Sequence, residues 1–241
     1  ADPSPPPQHM AHDMSLPDDT TLTETGLPAR GQGRVLLIAC GALAREILDL
    51  KALNGWDHMD LTCLPAKLHL YPDQITQAVP AAVTRHRDSY ADIFVVYADC
   101  GTGGQLQAAC AAMGVEMIAG PHCYSFFEGN ERFARHSESE IAAFYLTDFL
   151  VRQFEAFVIR PMGLDRHPEL RDMYFGNYEK LVYQAQTDDP ALHAGLDLRV
   201  QPHLARTAVH LGRRHLERVR QGFHRLARLD HQTVPVFPVV Q

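Results

Sequence analysis

Residues 91–104, ADIFVVYADCGTGG, decide the fold. From Ile93 to Tyr97 every side chain is branched or aromatic, and the run is too short for a buried helix. This pattern predicts a strand buried on both faces, as in a parallel sheet, over residues 91–99. A tight glycine loop follows, then QLQAACAAMG (105–114), a helix that stops at its glycine. VEMIAG (115–120) reads as the next strand. The same alternation holds upstream. RVLLIAC (34–40) and MDLTCLP (59–65) read as strands, and Leu43, Ile47, Leu48 and Leu50 form a helical stripe between them. PDQITQAVPAAVTRHRD (72–88) reads as a helix opened by Pro72 and kinked or split at Pro80. Residues 34–125 therefore alternate strand and helix, which specifies an α/β fold: a Rossmann-like parallel sheet of four or five strands.

The flanks read differently. Residues 1–33 are rich in Pro, Asp, Thr and Gly without periodicity, which predicts a disordered or extended leader, with Met14 a candidate natural start. Residues 34–241 read as a single α/β domain whose second half, 126–241, is a mostly helical covering region. EIAAFYLTDFLVRQFEAFVI (140–159) suits one or two helices. Leu170, Met173, Tyr174, Tyr178, Leu181 and Val182 recur at helical spacing in residues 167–186. Residues 190–212 read as a helix broken at Pro202, and RHLERVRQG (214–222) is a candidate late strand. No internal repeat is visible.

The bulk numbers narrow the function classes. A net charge of -7 argues against a general nucleic-acid binder, which presents a basic face. No apolar run approaches the roughly 20 residues that span a bilayer, and the N-terminus lacks an apolar signal core. Five cysteines, Cys40, Cys63, Cys100, Cys110 and Cys123, stand in odd number and wide spacing, with no CxxC pair. That is not a disulfide framework, so a reduced, cytoplasmic protein is expected.

Ligands of parallel α/β sheets bind beyond the carboxyl ends of the strands. Cys40 ends the first strand, His69 follows the second, Cys100 with Gly101, Gly103 and Gly104 follows the third, and His122 with Cys123 follows the fourth. Three thiols and two imidazoles thus arrive at one edge. Thiolates and imidazoles suit zinc, iron–sulfur clusters and other soft or borderline metals. The glycines would let backbone N–H groups approach an anionic cofactor. Cys63, inside a strand, and Cys110, mid-helix, read instead as small buried hydrophobes.

Other polar residues carry plainer readings. CGTGG is neither a P-loop nor a GxGxxG motif, and a simple turn accounts for it. Glu128, Glu131 and Arg132 read as a solvated helix start or an ion pair. Thr147 or Asp148 suits a helix cap, and Tyr174, Tyr178 and Tyr183 suit the core.

IACGALAREI, LPAKLHLYPDQI, VVYADCGTGGQL, GPHCYSFFEGNERF and FYLTDFL, with PELRDMYFGNY and a late ERVRQGF block, resemble in order the blocks of the DUF1638 family. The resemblance spans most of residues 34–225. Family members show a cysteine after the first strand, an L-H-x-x-P block, a cysteine in the glycine loop and a paired His/Cys element. These fall on Cys40, His69, Cys100 and Cys123. Many relatives read His-Asp-Cys where this chain reads Pro121-His122-Cys123, so its histidine is displaced by one residue. The family's function is unassigned, and its association with corrinoid-dependent methylamine methyltransferase systems implies a role near methyl or one-carbon transfer.

The sequence therefore predicts a metal- or Fe–S-binding protein with Cys40, Cys100 and Cys123 as ligands and His122 or His69 as the fourth. Its use is enzymatic or accessory. Cys40→Ser is expected to abolish metal retention and leave the fold intact. The cofactor is zinc or an iron–sulfur cluster, with a corrinoid as a further candidate. Expected partners are a small-molecule or cofactor ligand and a corrinoid protein or methyltransferase, with no nucleic acid and no membrane. Two alternatives remain open: a metal-free binding module for a corrinoid, pterin or methyltransferase, and an enzyme with one nucleophilic cysteine.

Overall fold

The structure, a computed structural model, describes residues 17–139, 141–195 and 208–211. It opens with α1 (Asp19–Glu24), capped by the Asp18 carboxylate, which accepts from the Thr21 N–H at 2.9 Å. This segment, set with the leader from composition, is packed: Leu22 is fully buried, and a Cβ at Gly41 would stand 2.3 Å from the Leu22 carbonyl oxygen. Leu27 then bridges Cys63 in antiparallel fashion.

β1 (Val35–Cys40) is buried along its whole length, as VLLIAC demands. α2 (Ala44–Asn54) follows a short 3₁₀ turn and ends at Gly55, which takes the left-handed conformation that terminates helices. β2 (Met59–Leu64), α3 (Pro72–His86), β3 (Asp92–Val96), α4 (Gln105–Ala112) and β4 (Glu116–Met117) complete the first half. The sheet order is β2-β1-β3-β4, and all three pairings are parallel. The fold is thus the expected Rossmann-like α/β arrangement. α3 continues through Pro80, so of the expected kink or split the split does not occur.

The second half holds more strand than the mostly helical reading, with its one candidate late strand, expected. After α5 (Tyr124–Glu128) and α6 (Asn130–Ser139) comes β5 (Ala143–Thr147), then α7 (Asp148–Arg152) and a π-helical turn at Glu155–Ile159. α8 (Arg171–Phe175), β6 (Lys180–Gln184), α9 (Pro190–Gly195) and β7 (Ala208–Leu211) follow. β5, β6 and β7 form a second, three-stranded parallel sheet. The apolar run 140–159 therefore holds a strand as well as helix, and the helical spacing of 167–186 gives way to β6. The candidate strand at 214–222 lies outside the described residues.

Each sheet has its own apolar core, and Leu150 and Phe157 pack against both. Polar links cross between the halves. Asp19 binds Arg45 of α2 and Arg152 of α7, and the Thr23 hydroxyl donates to Gln153 at 3.2 Å.

Candidate metal centre

Parallel pairing brings the carboxyl ends of β1 to β4 to one edge. Cys40 is the last residue of β1, and its sulfur accepts from the Ala42 N–H at 3.4 Å. β2 runs into a 3₁₀ helix, Ala66–Leu70, that carries His69 back toward β1. The Cys40 sulfur lies 3.5 Å from His69 Nδ1. Cys63 pairs with Ala39 rather than Cys40, so alternation sends it to the opposite face of the sheet. Cys110 is buried in α4.

The loop after β3 is a closed nest. The Asp99 carboxylate accepts from the Thr102 hydroxyl at 2.9 Å, the Gly103 N–H at 3.1 Å and the Gly104 N–H at 2.6 Å. These bonds, led by that from Gly104, hold the Asp99 carboxyl below its ordinary range, and Gly101 contributes to the same effect. Gly101, Gly103 and Gly104, expected to cradle an anionic cofactor, thus enclose the chain's own carboxylate. The nest also fixes Cys100, the one non-glycine residue of positive φ (46°) among those described.

Two backbone bonds lace this loop to the one after β4: Asp99 N–H to the Gly120 carbonyl at 2.9 Å and Cys100 N–H to the Pro121 carbonyl at 3.1 Å. The Ser125 hydroxyl donates to the His122 carbonyl at 2.7 Å, and Asn130 donates to that of Ala119 at 2.8 Å. Cys123 is thereby set at the head of α5, its sulfur 3.1 Å from that of Cys100 and 3.8 Å from His69 Nε2. The ligand atoms of His69, Cys100 and Cys123 all lie within 4.8 Å of one another.

Four expected residues therefore converge, in two tiers. Cys100 and Cys123 share the Nε2 side of His69, while Cys40 holds Nδ1. His122 stands further out: its ring is 6.3 Å from that of His69, and its Nδ1 accepts from the Tyr124 N–H at 3.3 Å.

The electrostatics follow from this packing. The sulfur–sulfur contact of Cys100 with Cys123, aided by His69 against the effect of burial, pulls the Cys100 thiol well below its ordinary range. The same contact, together with burial, pushes the Cys123 thiol well up. Burial works against a charge on His69, yet the sulfurs of Cys40 and Cys100 outweigh it and raise its pKa. Burial lowers that of His122. The cluster thus favours negative charge on Cys100, beside the Cys123 thiol and the His69 ring.

One site residue escaped the sequence reading. Tyr97, directly after β3, is fully buried, and its ring stacks on His69 at 6.2 Å and 15°. Its only sequence signal is a hydroxyl-bearing residue closing an apolar strand three residues before Cys100.

Two other buried carboxylates, Asp148 and Glu128, are satisfied by protein, whereas Glu46 Oε2 is buried with no hydrogen-bond partner among the described residues. Thr147 caps α7 by accepting from the Leu150 N–H. Asp148 accepts from the Tyr183 hydroxyl at 2.7 Å, the Thr187 N–H at 2.8 Å and the Thr187 hydroxyl at 2.6 Å. Glu128 bonds Gln184 at 3.0 Å and His136 at 3.1 Å. Tyr183 is buried as expected, while Tyr174 and Tyr178 are exposed.

A family model described as "Protein of unknown function (DUF1638)" matches residues 63–200, more than half of the chain. The chain belongs to the DUF1638 family. The matched segment holds His69, Cys100, His122 and Cys123, whereas Cys40 precedes it. No curated protein and no solved structure matches this DUF1638 chain. Among the described residues, no helix is long and apolar enough to cross a membrane.

Proposed function

We propose that this DUF1638 protein binds one transition-metal ion, zinc in the first instance, through His69, Cys100 and Cys123. The carrying observation is the closure of these three donors at the carboxyl edge of the sheet. Two thiolates and one imidazole are a donor set of catalytic zinc sites, which keep one position for an outside ligand. Zn–S bonds of about 2.3 Å in tetrahedral geometry set two sulfurs about 3.8 Å apart. The 3.1 Å separation of Cys100 and Cys123 has only to open by a fraction of an ångström to match.

Cys40 becomes the outer partner of His69 in this reading. Metal-bound histidines commonly engage a second group through their other nitrogen, which fixes ring orientation. The geometry favours a single ion over a four-iron cluster held by three cysteines, because the His69 ring stands between Cys40 and Cys123. His122 lies at the rim, where it borders the open position.

A metal so held supplies Lewis acidity, or lowers the pKa of a bound thiol or water. The chain's own residues position it, exclude solvent and keep the ligand nitrogen of His69 aimed inward. The family resemblance supports a use in methyl or one-carbon metabolism, with a corrinoid protein or methyltransferase as partner and a small thiol or methylated compound as substrate class. The reduced thiols suit a cytoplasmic location.

The test is anaerobic purification followed by elemental analysis and visible spectroscopy. One equivalent of colourless zinc supports the reading, and iron with broad blue absorbance replaces it by a cluster. Absence of metal, with none taken up on addition, overturns it in favour of a metal-free binding module.

A further inference from the structure

The Tyr97 hydroxyl is fully buried and has no hydrogen-bond partner among the described residues. Buried hydroxyls are ordinarily paired, because an unmade bond costs the full desolvation of the group. Phenylalanine would fill the same space, stack equally on His69 and avoid that cost. The hydroxyl therefore calls for an occupant that the described residues do not supply.

Its position says what kind. Ala39 of β1 pairs with Val96 of β3, so the next residues, Cys40 and Tyr97, sit side by side on one face. Burial acts most strongly on the hydroxyl, followed by the charges of Cys40, Cys123, Cys63 and Cys100, while the ring itself stacks on His69 at 6.2 Å. The hydrogen-bonding capacity of the site sulfurs is committed elsewhere: Cys40 to His69 and the Ala42 N–H, Cys123 to Cys100 and His69. Two thiolates already balance a divalent ion, so an anionic fourth ligand would bring uncompensated charge into a buried site. Such charge demands a donor beside it.

We propose that Tyr97 donates a hydrogen bond to the outside ligand of the His69/Cys100/Cys123 centre, and that the centre selects a small anion or the deprotonated form of a thiol or hydroxyl compound. This inference rests on the metal-centre reading above.

The experiment uses the full chain loaded with cobalt(II) and titrated with azide, followed through the ligand-field bands. Wild-type protein binds azide, and Tyr97→Phe keeps the same cobalt content while its azide affinity falls about tenfold, the loss of one hydrogen bond. Metal-free Tyr97→Phe melts no lower than wild type, since it gives up an unpartnered group. Equal azide affinity in the two proteins overturns the proposal, as does a wild-type protein that holds cobalt but takes up no azide. A lower melting point for the metal-free variant overturns it too, because the hydroxyl would then have a structural partner. In wild type alone, the stretching band of bound azide should shift between H2O and D2O, and an unmoved band counts against the donor. A wild-type chain that takes up no cobalt sinks the metal centre itself, a result distinct from all of these.

Discussion

Cys40 and His69 meet at 3.5 Å, sulfur to Nδ1, and this contact turns the other ring nitrogen toward Cys123. In the proposed metal centre, Cys40, which reads as a ligand in the sequence, serves as the group that orients His69. Cys40→Ser should weaken metal binding by about 10–100-fold, the usual cost of losing an outer-shell partner, while saturating metal still fills the site. Cys100→Ser and Cys123→Ser should lose stoichiometric metal altogether. Competition with a chromophoric chelator separates the two classes. Equal loss in all three variants would return Cys40 to the ligand set.

Thiol labelling provides a second check. In metal-free protein the contacts with Cys123 and His69 hold the Cys100 thiol well below the ordinary thiol range. Iodoacetamide at pH 6 should therefore modify Cys100 first. Cys63 and Cys110, both with raised pKa through burial, should stay unmodified in the folded chain. Bound zinc should protect Cys100 and Cys123 together. Peptide mapping by mass spectrometry reads all four outcomes, and labelling of Cys110 ahead of Cys100 would contradict the charge distribution described.

Glu46 sets a pH dependence of stability. Burial raises its carboxyl from 4.5 to about 7, with Arg152 opposing only in part. The folded protein therefore holds this proton more tightly than the unfolded chain. The associated stability is fully present below pH 4.5 and is lost as pH rises through about 7. The difference amounts to about 3 kcal/mol. Glu46→Gln should remove this loss, so urea midpoints of variant and wild type should agree near pH 4.5 and diverge at pH 8, the variant being the more stable. Parallel curves would show that Glu46 is not the group responsible.

Gly41→Ala tests the first helix. The added Cβ meets the Leu22 carbonyl at 2.3 Å, and backbone cannot move aside cheaply. A loss of about 1–3 kcal/mol is expected from such overpacking. Proteolysis should then cut first within residues 19–33, and an unchanged cleavage pattern would mean that α1 is not docked as described.

The first sheet was legible because its strands are short apolar runs separated by amphipathic helices and glycine stops. β1 and β2 fall where VLLIAC and MDLTCL place them. β5 was hidden because AFYLT sits inside a longer apolar run, where periodicity cannot separate strand from buried helix. β6 was masked by tyrosines whose spacing is also helical. The convergence of Cys40, His69, Cys100 and Cys123 followed from a topological rule alone. Which nitrogen of His69 faces which sulfur, and the unpartnered hydroxyl of Tyr97, depend on packing that no spacing encodes. The glycine loop encloses its own neighbour, Asp99, a pairing that the motif's spacing does not encode.

One of the two inner strands of the first sheet, β1, lies ahead of the stretch by which the family is recognised. β1 pairs with β2 on one side and β3 on the other, yet the matched segment begins at residue 63, inside β2. A fragment trimmed to those residues would leave β3 without its main neighbour and expose raw edges through which copies adhere to one another. The shortest piece of this chain able to stand alone is therefore longer than its family signature, and starts no later than Asp18, whose carboxylate opens α1.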